Sequence, residues 1–124
     1  MSEKENILQQ KTFSFVLDII QLCNELSKKA APVLVQSVFQ SGTEIGAFIE
    51  ETKGRQSAQH FYASIQAAYN SAQKTNYWLE LLAESKLVEQ KKGEELLADN
   101  DALIRIMGKT LSTLRKKAKE KAAE

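Results

Sequence analysis

The chain has one cysteine, one histidine, one proline and five glycines among its 124 residues. With Cys23 alone, no internal disulfide framework can form, and Cys23 with His60 cannot supply a Cys/His zinc cage. Charge of one sign is also missing: seventeen Lys+Arg against sixteen Asp+Glu give a formal +1, which excludes a uniformly basic polynucleotide-binding chain. Long apolar runs are absent; stretches such as Phe15-Val16-Leu17 and the one that begins Ala30-Ala31-Pro32-Val33 fall far short of the ~20 residues a membrane span needs. Met1 to Asn6 is polar and lacks the basic start and apolar run of a signal peptide, so a cytoplasmic protein with no membrane partner is expected. What is present is globular in composition, 43% hydrophobic and 27% charged, and enough for one compact domain over 1–124.

Scarcity of breakers leaves four segments with a 3.6-residue period, near 6–28, 32–53, 57–85 and 89–119. Pro32 suits the first turn of a helix, where its missing N–H has no partner to lose. Gly54 stands where a left-handed helix terminus is expected, and Ser57 is a good N-cap for the next segment. The joint around Ser85 to Glu89 is less sharply marked, because Leu87 and Val88 can pack. Short joints force neighbours to lie antiparallel. The expected fold is all-α, an up-down-up-down four-helix bundle with a core at about 6–116 and a basic tail at 115–124.

Plotted at about 100° per residue, the fourth segment is simple: Leu96, Leu97, Leu103, Ile104, Met107, Leu111 and Leu114 make a stripe about 120° wide. Asn100 falls inside it, either as a polar core residue that fixes register or as a ligand. The first segment differs. Phe13, Phe15, Val16, Leu17, Ile19, Ile20, Leu22, Cys23 and Leu26 spread over roughly 220°, more than the ~100–140° a bundle helix needs. In the third segment Tyr77, Trp78 and Leu81 project away from the face made by Phe61, Ile65, Ala68, Ala72 and Leu79. A surplus of this kind predicts association with copies of the same chain through Phe13, Phe15, Ile19, Leu22, Tyr77 and Trp78. A loose core or the C-terminal tail covering it is the alternative. In the second segment Gly42 and Gly46, with Ser41, form a strip of small residues. Two helical glycines cost ~2 kcal/mol against alanine, which a closely approaching backbone would offset.

Catalytic chemistry finds no constellation. His60 is three residues past Ser57, where an acid would complete a capping box, and reads as a weak cap or surface residue. Paired Glu-x-x-His motifs for a di-iron site and a Gly-rich phosphate loop are missing, so no enzyme, metal or cofactor is expected. Glu50-Glu51 and Glu94-Glu95 read as solvated charges, and Cys23 as an inert buried thiol. Residues 111–124 carry Arg115, Lys116, Lys117, Lys119 and Lys121 against Glu120 and Glu124, a net +3. That run is either a solvated helix end complementing its dipole or, gathered in an oligomer, a contact for RNA or DNA.

The strip Ser41-Gly42-Thr43-Glu44-Ile45-Gly46-Ala47-Phe48-Ile49, then Glu51 and Gly54, is similar to a family strip Ser-Ala-Thr-Ser-Ile-Gly-Ala-Asn-Ile-Ala-Glu-Gly. Ser57, Phe61 and Tyr77-Trp78-Leu79-Glu80-Leu81-Leu82 follow at matching distances, and Phe13-Ser14-Phe15 with Leu22-Cys23-Asn24-Glu25-Leu26 matches the first helix. Over about residues 11–116 the chain resembles the bacterial four-helix bundle proteins encoded in intervening sequences of 23S ribosomal RNA genes. The resemblance implies a homo-oligomer, usually a pentamer, without established enzymatic activity. A related bundle, the accessory variability protein of diversity-generating retroelements, forms a pentameric barrel that binds nucleic acid and a reverse transcriptase. This chain departs at Gln40 for Arg, Phe48 for Asn, His60 for Asp and Asn70 for Gly. The first removes a basic group; the second makes a more apolar surface and adds Phe48 to the expected subunit contacts.

Overall fold

The computed structural model of the chain describes residues 2–54 and 56–124; Met1 and Arg55 lie outside the described residues. Four helices run in order: α1 (Glu3–Leu26), α2 (Pro32–Glu51), α3 (Ala58–Glu84) and α4 (Gln90–Ala123). At ~1.5 Å per residue they are roughly 36, 30, 40 and 51 Å long. Neighbours in sequence pack against each other, and α4 closes the bundle onto α1. Among the described residues no Cα of α1 comes within 8 Å of one of α3, so these two helices stand diagonally opposite. The α1–α4 seam is the most sparsely packed of the four.

Local chemistry sets the ends. Ser2 caps α1 by accepting the Glu5 N–H at 3.2 Å, and Glu3 and Glu5 sit favourably at the positive end of the dipole. The helix therefore begins three residues before the apolar pattern does. After Leu26 the chain turns with the Lys29 and Ala30 N–H groups both on the Leu26 carbonyl, at 2.9 and 2.8 Å. Pro32 then opens α2.

The expectation at Gly54 is corrected. No described glycine has positive φ. α2 instead tightens into a 3₁₀ turn over Thr52–Gly54, and the Thr52 hydroxyl donates to the Ile49 carbonyl at 2.6 Å. Tightening satisfies terminal carbonyls without a left-handed residue. Ser57 caps α3 as expected, accepting the His60 N–H at 3.0 Å.

The left-handed residue lies at the third joint, where Lys86 has φ 61°. The Leu87 N–H donates to the Leu82 carbonyl at 3.0 Å and the Lys86 N–H to that of Ala83 at 3.1 Å. Those two bonds are a Schellman terminus, with Leu87 folded back toward the core.

Inside, Ile19, Leu26, Val38, Ile45, Ile65, Leu79, Leu82, Leu96, Leu103 and Met107 are fully enclosed. Asn100 is enclosed with them; its Nδ2 donates to the Ala72 carbonyl at 2.9 Å, while Oδ1 has no partner among the described residues.

Candidate functional site

α1 and α2 approach each other closely along the small-residue strip of α2. A Cβ placed on Gly42 would lie 2.7 Å from Ile19 Cγ2, and one on Gly46 would lie 3.1 Å from Val16 Cγ2. The two glycines open a trough into which Ile19 and Val16 sink, and Cys23 reaches the same helix, its Sγ 3.9 Å from the Val35 carbonyl. Burial pushes the Cys23 thiol up from its ordinary pKa.

Part of the expected subunit interface is corrected by burial. Phe15, Ile19 and Leu22 are buried in the chain's own core and are not available to a second copy. At ~100° per residue the buried side chains of α1 (Leu8, Thr12, Phe15, Ile19, Leu22, Cys23 and Leu26) occupy an ordinary stripe about 100° wide, so the surplus of the arc lies in the residues flanking it, Phe13 and Leu17 among them. Phe48 and Trp78 are half-buried and lean on the core.

Two apolar patches remain outside. On α1, Phe13 is 68% and Leu17 52% exposed, one turn apart on the same face. Phe39 of α2, also exposed, lines a shallow depression with Cys23 and Asn24 of α1. On α3, Tyr77 is 56% exposed and Leu81 stands one turn further on. The Tyr77 ring meets Trp78 edge-on with centroids 5.2 Å apart, an arrangement that stiffens this patch. Sequence reasoning missed Phe39, Val33 and Ile7 as exposed apolar residues. Phe39 could have been found, since it lies about 100° from the phase of Val38 and Ile45.

Between α2 and α3 the seam is small and polar. Ser41 is buried beside Gly42; its hydroxyl lies 3.0 Å from Thr75 Oγ1, and Thr75 donates to the Ser71 carbonyl at 2.8 Å. Ser71 Oγ donates to Glu44 Oε2 at 3.4 Å.

The basic tail is helical to Ala123. Arg115, Lys116, Lys117, Lys119 and Lys121 are all exposed on the last turns of α4. Elsewhere, two exposed ion pairs form within single elements or turns: Lys53 with Glu50 at 2.9 Å and Arg105 with Asp101 at 2.7 Å. Glu51, Glu94 and Glu95 face solvent. Among the described residues no group of three or more His, Cys, Asp or Glu side chains could hold a metal ion. His60 is half-buried, with Nδ1 enclosed and without a hydrogen-bond partner among the described residues. No described helix is long and apolar enough to cross a membrane.

Four antiparallel helices with a filled core and apolar patches outside define a helical-bundle protein of the all-α class. The chain belongs to the 23S rRNA-intervening sequence protein family, which it matches over residues 4–109. It is similar to a crystal structure from Bacteroides thetaiotaomicron, described as a protein with unknown function from the S23 ribosomal protein family. The two share 28% identity over 88% of this chain and 98% of that one, with a TM-score of 0.83. No curated protein matches the chain.

Proposed function

We propose that the protein is a non-enzymatic building block that assembles with copies of itself, joining the α1 patch of one chain to the α3 patch of the next. The observation that carries this reading is the placement of Phe13 and Leu17 on one helix and Tyr77 and Leu81 on the diagonally opposite one. Contiguous apolar surface is costly to leave in water. Two different patches on opposite sides suit a head-to-tail contact, which forms a ring where the rotation between subunits closes, whereas a two-fold dimer needs only one self-complementary patch. The pentamer implied by the family resemblance is such a ring. In it the protein acts as a scaffold or interaction module. Light scattering on the eluting wild-type protein tests the reading: a mass several times 13.9 kDa is expected, and a monomer at micromolar concentration refutes it.

A second reading rests on the exposed basic end of α4. A ring would collect several copies of the exposed Arg115–Lys121 surface, and multivalent phosphate contact gains strength steeply with copy number. On this reading, affinity for RNA or DNA falls sharply with added salt and is lost when the residues after Leu114 are removed. Absence of binding at low salt ends it.

A further inference from the structure

At the end of the bundle holding the start of α1 and the last turns of α4, the sparse seam opens into a groove of about 470 Å³. Its floor is apolar and belongs to the core: Leu8, Ile49 and Ile65 are buried there. Ile106 and Leu114 of α4 form one wall and Ile7 of α1, exposed, stands at the mouth. Three exposed lysines, Lys4, Lys109 and Lys117, rim it, and Glu5 is the one acidic side chain among the described lining residues. Ser2, Thr110 and Thr113 add hydroxyls.

We infer that this groove binds a long-chain anionic amphiphile, with its apolar chain on the apolar floor along the α1–α4 seam and its carboxylate at the lysine-bearing rim. Three properties select that occupant. The volume falls in the range of roughly 300–1,000 Å³ typical of small-molecule sites and is too small for a packed helix, which with side chains is about 10–12 Å across. From Ile106 to Lys117 the α4 wall runs about 16 Å at ~1.5 Å per residue, a suitable length for an acyl chain. The rim holds three positive charges against one negative, which favours an anionic head over a neutral or cationic one. Phe13 and Leu17 are not among the lining residues, so the groove is separate from the face assigned to assembly.

The test titrates the full-length wild-type protein with dodecanoate, and with dodecanol as the uncharged analogue, by displacement of anilinonaphthalenesulfonate. Saturable dodecanoate binding is expected, with dodecanol about tenfold weaker, the loss of a charge-assisted contact. Neutralising the rim (Lys4→Gln, Lys109→Gln, Lys117→Gln) alters only exposed side chains. It should bring dodecanoate down to the dodecanol level and leave dodecanol unchanged, with an unaltered thermal melt. The Phe13→Glu, Leu17→Glu protein should bind dodecanoate as wild type does. The inference is overturned by absence of saturable binding, by equal affinity for acid and alcohol, by indifference to the lysine changes, or by loss of binding in the Phe13→Glu, Leu17→Glu protein. It is also overturned if an acidic amphipathic peptide occupies the groove and dodecanoate does not displace it.

Discussion

Gly42 lies directly against Ile19, with no room between them for a methyl group. On helix propensity alone, Gly42→Ala would gain ~1 kcal/mol. Its new methyl group would meet Ile19 Cγ2 at 2.7 Å, and Ile19 is β-branched and fully enclosed, so it has nowhere to go. Overpacking of this kind costs ~1–3 kcal/mol, and set against the propensity gain it should appear in denaturant unfolding as a net loss of up to about 2 kcal/mol. Gly108→Ala is the control: the added atom would sit 3.5 Å from Tyr69 Cε2, an ordinary contact, and should raise stability by about 0.5–1 kcal/mol.

Cys23 offers a second residue-scale prediction. Its folded thiol titrates above the ordinary value of about 8.5 because burial disfavours the thiolate. Between the unfolded and folded pKa the unfolded chain holds fewer protons, so stability falls as pH rises. Unfolding curves for wild type and Cys23→Ser should lose stability differently above about pH 8.5, with the steeper fall in wild type. Parallel curves would contradict the burial argument.

At the level of whole helices, the terminus of α3 makes the sharpest prediction. A lysine at φ 61° carries a steric cost that glycine does not, inside a Schellman turn that favours glycine. Lys86→Gly should therefore stabilise by roughly 0.5–1 kcal/mol in thermal or denaturant unfolding, with no change in the helical signal. Pro32 and Ser57 were readable because each residue type does one thing at a helix start, and both start α2 and α3 as read. Gly54 misled because glycine permits a left-handed turn without requiring one, and here a 3₁₀ turn with the Thr52 hydroxyl serves. Nothing about lysine announces the conformation that Lys86 adopts. The stripe on α4 was legible almost residue by residue, including the buried place of Asn100. The arc of α1 was legible in width, but its centre was misplaced. Phe15, Ile19, Leu22 and Leu26 lie within about 60° on a helical projection and form the core stripe, so the part left for solvent is the flank that holds Phe13 and Leu17.

For the molecule as a whole, the two apolar patches lie on α1 and α3, helices that are not neighbours in the bundle. If assembly buries them, the wild-type melting temperature should rise with protein concentration, because association stabilises by mass action. The Phe13→Glu, Leu17→Glu protein should melt at one temperature across the same range.

The most direct measurement is sedimentation equilibrium on an equimolar mixture of two proteins, one carrying Phe13→Glu with Leu17→Glu and the other Tyr77→Glu with Leu81→Glu. Each alone should be monomeric, since each lacks one half of the contact. Mixed, the intact α3 patch of the first meets the intact α1 patch of the second, and a species of two chains should form and grow no further. A mixture that stays at the mass of one chain, or a Tyr77→Glu, Leu81→Glu protein that assembles by itself, would contradict the head-to-tail account.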